Sequence, residues 1–183
     1  AMKPYYLELG GNPSSTHSFG RALKHGLEQA RREIATCIGA RPMEVYFTSG
    51  GTESDNLAIL GAVAGYGIQH IISSPIEHHA VTHPIETLEK EGKVTVTWLK
   101  VDEKGHISME ELEEALKAHP KTLVSLMHGN NEIGTLYDIV AIGKLCRQYE
   151  ALFHSDTVQT MGKVPLNVQD LEVDFLTASA HKF

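Results

Sequence analysis

Apolar residues along this chain alternate between helical spacing and short strand-like runs, and this alternation limits the fold more than any other feature. Apolar positions three and four apart predict five helices, at 16–38, 54–64, 80–91, between Ser108 and Pro120, and at 139–149. Runs rich in β-branched and aromatic residues predict six strands, at 45–48, 70–74, 94–99, 122–127, 152–154 and 174–177.

The order of these segments predicts the fold class. Strands and helices mostly take turns, which predicts an α/β fold with a mostly parallel sheet and helices on both faces. The run at 122–127 is apolar without alternation, as in a strand covered on both faces. No repeat or linker divides the chain, so we expect a single domain over residues 1–183, with 1–15 as a segment leading into it.

Composition narrows the possible partners. Sixteen lysines and arginines against 23 acidic residues give a net charge of −7, which argues against direct nucleic-acid binding and against binding to an anionic membrane. The apolar stretch at 57–64 is far short of the roughly 20 residues that cross a bilayer. Cys37 and Cys146 lack CxxC spacing, and we expect both to be buried as small apolar side chains. These features predict a cytoplasmic protein.

Five polar clusters follow predicted strands, at 48–56, 77–79, 128–134, 154–159 and 179–182. The carboxyl ends of parallel strands lie at one edge of a sheet, and ligands of such folds bind in the crevice there. We therefore expect the chemistry of this chain in these five clusters.

The first cluster places Gly50, Gly51 and Thr52 between a predicted strand and a helix. Backbone N–H groups and the positive end of the helix dipole then face one point, which suits a phosphate. An ordinary glycine-rich turn capped by Thr52 explains the same residues equally well. The cluster is neither a P-loop nor a GxGxxG motif.

Two later clusters carry a carboxylate and an amine. Asp156 follows a buried strand, where a protonated heterocyclic nitrogen would offset its charge, although Asp is also a common helix N-cap. Gln159 lies one helical turn further on. Lys182 follows the last strand, where partial desolvation would make its amine a nucleophile, although most lysines are solvated surface charges.

The histidines give weaker signals. His79 and His83 are four apart, a spacing that can bind zinc, but the glutamate of HExxH and a third ligand are missing, so we expect no metal. His78 follows a predicted strand, and its flat ring could cover the face of another ring.

Taken together, the clusters offer a phosphate cradle, a carboxylate for a ring nitrogen, amides for a ring oxygen, an aromatic cover and a lysine amine. These groups hold pyridoxal 5′-phosphate, with which a lysine forms a Schiff base while an aspartate keeps the pyridine nitrogen protonated. The sequence therefore predicts pyridoxal 5′-phosphate as the cofactor.

Six runs also match known motifs in the same order along the chain: Gly11-Asn12-Pro13-Ser14-Ser15, residues 47–56, Glu77-His78-His79-Ala80-Val81, Asn130-Asn131-Glu132-Ile133-Gly134, His154-Ser155-Asp156 with Gln159, and Ser179-Ala180-His181-Lys182. They strongly resemble cysteine desulfurases of the NifS/IscS type. These are fold-type-I pyridoxal phosphate enzymes of the class V aminotransferase superfamily.

The resemblance implies a role for each of nine residues. The phosphate would be bound by Gly51, Thr52, Ser179 and His181. The ring would contact His78 on its face, Asn131 and Gln159 at its substituents, with Gln159 at the phenolic oxygen, and Asp156 at its nitrogen. Lys182 would form the Schiff base, and it and His78 are the expected catalytic residues.

The resemblance also implies a reaction. In the family, L-cysteine becomes L-alanine, and its sulfur passes to a protein cysteine as a persulfide, for iron–sulfur cluster assembly or tRNA thiolation. The implied partners are a second copy of the chain, in a homodimer, and a sulfur-acceptor or iron–sulfur scaffold protein. The persulfide cysteine and most of the small domain follow the lysine in the family, whereas this sequence ends at Phe183. It would then be the large cofactor-binding domain, incomplete or inactive alone.

Two other functions fit the same residues. Another class V enzyme, an aminotransferase or a selenocysteine lyase, would share the cofactor, although the Asn-Asn-Glu-Ile-Gly and Ser-Gly-Gly-Thr-Glu-Ser runs favour a desulfurase. A non-catalytic scaffold domain, which binds a sulfur-transfer partner or a second copy, is the alternative outside enzymology.

Overall fold

A computed structural model describes residues 3–8 and 10–182. The chain divides into two compact units, Ala1–Phe47 and Thr48–Phe183. The single domain expected over residues 1–183 stays a prediction. Among the described residues, no helix combines the length and the apolar character that a bilayer crossing requires.

The first unit is helical. It contains α1 (Lys3–Leu7), α2 (Ser18–Ile38) and a 3₁₀ turn (Pro42–Glu44). Nδ1 of His17 accepts a hydrogen bond from the Gly20 N–H at the start of α2. Gly39 ends the helix in the left-handed conformation (φ 70°), which glycine adopts at little cost. The predicted helix at 16–38 and its glycine stop are confirmed.

The strand predicted at 45–48 is wrong. Val45 has extended backbone angles, but none of these residues pairs with a strand in the described part of the chain. Tyr46 and Phe47 are exposed. Extended conformation becomes a strand only when a neighbour supplies the ladder of hydrogen bonds, and β-rich composition alone cannot supply that neighbour.

The second unit is built on five parallel strands, β1 (His70–Ser73), β2 (Thr95–Trp98), β3 (Thr122–Ser125), β4 (Leu152–Asp156) and β5 (Phe175–Thr177). Their order across the sheet is β2-β1-β3-β4-β5. The helices are α3 (Gly51–Tyr66), α4 (His79–Lys90), α5 (Met109–Ala118), α6 (Ile139–Gln148) and α7 (Val168–Leu171), with a 3₁₀ turn at Ala180–Lys182.

Helices cover both faces of the sheet. Successive strand residues point to opposite sides of the sheet, so neighbouring residues pack against different helices. Ile71 and Leu123 pack with apolar residues of α3 and α4. Their neighbours Ile72 and Val124 pack in a second cluster, with residues of α5, α6 and α7. The predicted α/β fold, with a mostly parallel sheet and helices on both faces, is confirmed.

Helix α3 turns a different face to the sheet from the one that its apolar spacing at Leu57, Leu60 and Ala64 suggests. The buried residues of α3 are Asp55, Ala58, Ile59 and Ala62. Leu57 and Leu60 are 58% and 43% exposed. The helix is apolar on two sides, so spacing alone could not identify the side that packs on the sheet.

The two cysteines differ in burial. Cys146 of α6 lies in the core, as expected, and burial raises the pKa of its thiol to about 12. Cys37 is exposed, which contradicts the expectation that both are buried. It lies two residues after the buried Ala35 of α2, and at about 100° per residue its side chain is on the opposite face.

Candidate functional site

A cavity of ≈ 390 Å³ lies where the carboxyl ends of the strands meet the start of α3. Its walls come from the first turns of α3 and from the loops after β1, β3, β4 and β5. Strand β1 has β2 on one side and β3 on the other, so the chain changes direction across the sheet here. Ligands of open α/β sheets bind at such a switch point.

All nine residues singled out from the sequence line this one cavity: Gly51, Thr52, His78, Asn131, Asp156, Gln159, Ser179, His181 and Lys182. Four further residues line it: Asp55, Met127, Gly129 and Val158. Asp55 is the functional candidate that sequence reasoning missed. Its signal was present, because residues 51, 52 and 55 share one face of a helix.

The start of α3 is open at the cavity. The N-cap residue is Gly50, which has no side chain with which to cap the first turn, so the interpretation of Thr52 as an ordinary cap is wrong. A Cβ on Gly51 would lie 3.0 Å from Cγ2 of Val158, so a side chain here would crowd the cavity wall. Across the cavity, Oγ of Ser179 bonds Nδ1 of His181 at 2.8 Å. Free helix N–H groups and hydroxyl donors together form a site for an anion.

Asp156 is a buried carboxylate at the end of β4. Its Oδ1 accepts a hydrogen bond from the Val158 N–H at 2.8 Å, so it does cap the following turn. No ion pair in residues 3–8 and 10–182 involves it. Burial, helped by the charge of Asp55, raises the pKa of Asp156 to about 6. A cationic partner in the cavity would offset the cost of this buried charge.

His78 is the N-cap of α4, a role that the sequence did not reveal. Its Nδ1 accepts a hydrogen bond from the Ala80 N–H at 3.1 Å, so the neutral ring carries its hydrogen on Nε2. The side chain is otherwise exposed beside the cavity. His79 and His83 stack at 4.7 Å, and no group of three metal-ligating side chains occurs in the described residues.

Asn130 shapes the loop that carries Asn131. Its Oδ1 accepts hydrogen bonds from the N–H groups of Glu132 and Ile133, and its Nδ2 donates to the Ile76 carbonyl at 3.0 Å. These bonds leave the side chain of Asn131 exposed at the cavity. One asparagine thus holds the loop and the next is free for a ligand.

Lys182 lies in the 3₁₀ turn after β5, where its backbone N–H donates to the Ser179 carbonyl at 3.0 Å. Its side chain lines the cavity but is exposed. The expected partial desolvation of this amine stays a prediction.

Comparisons with known proteins agree with this geometry. The sequence matches the family described as aminotransferase class-V over residues 1–183. It is 48% identical over 185 residues to a cysteine desulfurase IscS of Dictyoglomus turgidum. That alignment covers 100% of this chain and 46% of the relative. It is 46% identical over 183 residues to a putative cysteine desulfurase IscS 1 of Bacillus subtilis, covering 99% of this chain and 48% of the relative.

Solved structures give the same result. The structure described as SspA in complex with cysteine has a TM-score of 0.93 and 38% identity, and covers 99% of this chain and 52% of that one. A NifS-like protein has a TM-score of 0.92 and 37% identity, and covers 100% of this chain and 50% of that one. This chain spans about half the length of the curated relatives that it matches.

The relatives define the chemistry at the level of the family. Cysteine desulfurases and class V aminotransferases use pyridoxal 5′-phosphate. The family match extends over the whole sequence, and the relatives align over nearly all of it. The chain therefore belongs to the class V aminotransferase family, among relatives of the IscS/NifS cysteine desulfurase type.

Proposed function

We propose that this chain supplies the cofactor-binding half of a pyridoxal phosphate-dependent cysteine desulfurase. One observation carries the proposal: nine residues from five separate stretches of sequence line a single cavity at the carboxyl edge of the sheet. Their chemistry suits the two ends of one small ligand, with anion-binding donors at one end and, at the other, the buried carboxylate of Asp156, which forms no ion pair with any residue that the structure describes. The residues therefore fit the cofactor.

The phosphate would be held at the start of α3. Gly51 offers a backbone N–H without a side chain in the way, and Thr52 adds a hydroxyl. Ser179 and His181 line the same cavity, and the bond between them limits their rotation. A helix N-terminus and neutral donors are a common solution for binding a phosphate group.

The ring would be held by four side chains. Asp156 would pair with the ring nitrogen, because a buried carboxylate is stabilised by a protonated heterocycle. His78 would cover one face of the ring, while Asn131 and Gln159 would bind its substituents, the latter at the phenolic oxygen. These polar side chains fix the orientation of the ligand as well as its position.

The chemistry would depend on Lys182 and His78. When bound, pyridoxal 5′-phosphate supplies an electron sink for bond breaking at the α-carbon of an amino acid. Nζ of Lys182 would hold the cofactor aldehyde and move the proton of the substrate α-carbon. His78, whose Nδ1 is engaged by the Ala80 N–H, would have Nε2 available for proton transfer.

The substrate would be L-cysteine, converted to L-alanine while its sulfur passes to a protein cysteine as a persulfide. The related SspA structure is described as a complex with cysteine, which supports this substrate. Neither cysteine of the chain lines the cavity, and Cys146 is buried. The persulfide cysteine would therefore come from outside the described residues, and these residues alone would be inactive.

The partners follow from the same proposal. A second copy of the chain would cover the exposed apolar face of α3, where Leu57 and Leu60 lie uncovered in water. A sulfur-acceptor or iron–sulfur scaffold protein would receive the sulfur, for cluster assembly or tRNA thiolation. The acidic net charge of −7 supports the absence of direct nucleic-acid and membrane binding, and a cytoplasmic location belongs to the same proposal.

Another class V enzyme remains the second candidate, because an aminotransferase or selenocysteine lyase would use the same cofactor residues. The names of the aligned relatives favour a desulfurase. Product analysis separates these functions when the chain is supplied with a protein segment that carries the persulfide cysteine and with a thiol reductant that releases the persulfide sulfur as sulfide. Alanine and sulfide from L-cysteine support the desulfurase, whereas a keto acid supports an aminotransferase and selenide from selenocysteine alone supports the lyase.

The binding test compares pyridoxal 5′-phosphate with pyridoxal, which lacks the phosphate. Titration of this chain, followed by the fluorescence of its aromatic residues, should give tighter binding of the phosphate form by about tenfold or more, as expected for charge-assisted hydrogen bonds. Equal affinities would contradict the phosphate site at α3. Binding of neither compound would overturn the proposed function.

A further inference from the structure

Four buried polar side chains form a hydrogen-bonded network across the sheet next to the cavity, which we call the side-chain network. Ser125 of β3, His154 of β4, Thr177 of β5 and Asp55 of α3 are all buried, with His154 at 0% and Asp55 at 1% exposed. Oγ of Ser125 bonds Nδ1 of His154 at 2.8 Å. Nε2 of His154 lies 3.4 Å from both Oγ1 of Thr177 and Oδ1 of Asp55.

With Asp55 ionised and His154 neutral, the hydrogen-bond directions among these four side chains are fixed. Thr177 donates its single hydroxyl hydrogen to the Asp55 carboxylate, so its oxygen can only accept from His154. His154 must then carry a hydrogen on Nε2, and its Nδ1 accepts from the Ser125 hydroxyl. The Thr177 hydroxyl and Nε2–H of His154 then both face the Asp55 carboxylate, an arrangement that stabilises its ionised form.

Asp55 is the residue of the side-chain network that lines the cavity. It lines the cavity together with Asp156, so two carboxylates face the same space. The titratable groups that act on Asp156 include Asp55 from α3, His154 from its own strand and His78 from the loop before α4. The buried Glu77, in the same loop as His78, interacts with both carboxylates. Two buried carboxylates repel each other across the cavity, and a cation between them relieves that repulsion.

We propose that Asp55, held by Thr177 and His154, is a positioning residue that acts through Asp156 and favours the protonated form of the cofactor's ring nitrogen. The inference rests on the proposed function, because it requires Asp156 to face that nitrogen. Asp55 adds negative charge next to Asp156, and the hydrogen bonds of the side-chain network hold the Asp55 carboxylate in place.

The first test needs no cofactor. Nitrogen NMR of the histidine-labelled chain near pH 7 identifies the ring nitrogen of His154 that carries hydrogen, and Nε2–H is expected. The substitution Asp55→Asn should shift this signal, whereas Asp170→Asn, on an exposed residue of α7, should not. A hydrogen on Nδ1 alone, or an unchanged His154 signal in Asp55→Asn, would overturn the inference.

The second test compares pyridoxal 5′-phosphate with its analogue in which carbon replaces the ring nitrogen. Asp55→Asn should weaken binding of the cofactor about tenfold, the effect of one pKa unit, and leave binding of the analogue unchanged. In an Asp156→Ala background, Asp55→Asn should have no further effect. Thr177→Val, which removes only the hydroxyl, should act in the same direction and serves if Asp55→Asn does not fold.

The outcomes separate the two proposals. Equal loss of both compounds in Asp55→Asn, with normal binding by the parent chain, overturns this inference and leaves the proposed function intact. A parent chain that binds neither compound overturns the proposed function, and this inference with it. Selective loss of the nitrogen-containing compound supports both.

Discussion

Oε2 of Glu77 accepts a hydrogen bond from the backbone N–H of Met127 at 2.9 Å, which joins the loop after β1 to the loop after β3. The other carboxyl oxygen bonds Oγ of Ser74 at 2.8 Å. Met127 lines the cavity, and Glu77 directly precedes His78. Glu77 therefore fixes the two loops on either side of the switch point where the cofactor is proposed to bind.

Glu77 gives the chain a pH-dependent stability. Burial raises the pKa of Glu77 from 4.5 to about 8. Between these values the folded chain holds more protons than the unfolded chain, so the free energy of unfolding falls as pH rises. Glu77→Gln should remove this contribution, whose slope is at most about 1.4 kcal/mol per pH unit. Urea denaturation of parent and variant across this range measures the difference.

The effect of Glu77 is measured as the difference in pH slope of the unfolding free energy between parent and variant. The parent slope alone is not sufficient, because His70 changes stability with pH in the opposite direction. Burial, with a contribution from His119, lowers the pKa of His70 to about 4, so its contribution to stability is lost as pH falls from 6.5. Glu86→Gln, on an exposed glutamate of α4, is the control and should change stability by less than about 0.5 kcal/mol. Identical pH slopes in parent and Glu77→Gln would contradict a protonated Glu77.

His78 should separate helix capping from cofactor binding. His78→Ala removes the bond to the Ala80 N–H and should cost about 1 kcal/mol of unfolding free energy, whereas His78→Asn keeps a side-chain acceptor at the N-cap and should cost little. Both variants lose the ring and should bind pyridoxal 5′-phosphate roughly three- to tenfold more weakly. Thermal unfolding and cofactor titration measure the two effects. Full cofactor affinity in His78→Asn would disprove the stacking role.

Asp156 should trade stability for binding. Burial and the charge of Asp55 raise the pKa of Asp156, so its ionised form is costly without a cationic partner. Asp156→Asn keeps an oxygen for the Val158 N–H and should stabilise the cofactor-free chain by on the order of 1–2 kcal/mol at neutral pH. The same variant should bind the cofactor more weakly. Denaturation with and without pyridoxal 5′-phosphate tests this, and a variant that is less stable without cofactor would contradict the account.

Gly143 tests how closely α6 and α7 pack. A Cβ at this position would lie 2.0 Å from the Leu171 carbonyl oxygen, so Gly143→Ala should destabilise the chain by about 1–3 kcal/mol. Gly61 of α3 has open space around it, and Gly61→Ala should stabilise the chain by about 0.5–1 kcal/mol. Urea denaturation of the pair decides, and equal effects would show that the helices move apart to make room.

Much of this fold follows from local pattern, because the strands at residues 70–73 and 122–125 are apolar on both faces and are flanked by helical spacing. The prediction of a strand at 45–48 was wrong because strand pairing depends on a neighbouring strand, which local sequence does not reveal. The expected burial of Cys37 was wrong because burial depends on which residues pack around a side chain.

The site was predictable to the extent that its residues follow strands. Asp156 and Lys182 were found because parallel strands bring their carboxyl ends to one edge. The side-chain network from Ser125 through His154 to Asp55 could not be predicted from the sequence. It depends on the order of β3, β4 and β5 in the sheet and on the placement of α3 over them. Sequence order says little about such cross-strand contacts.

We propose that one cavity brings the Lys182 amine to pyridoxal 5′-phosphate. Borohydride reduction of the chain mixed with the cofactor, followed by peptide mass spectrometry, locates the lysine that becomes covalently labelled. The account predicts label on Lys182 that is absent from Lys182→Ala and retained in Lys163→Ala, on an exposed lysine outside the cavity. Label spread over surface lysines, and unchanged by Lys182→Ala, would contradict it.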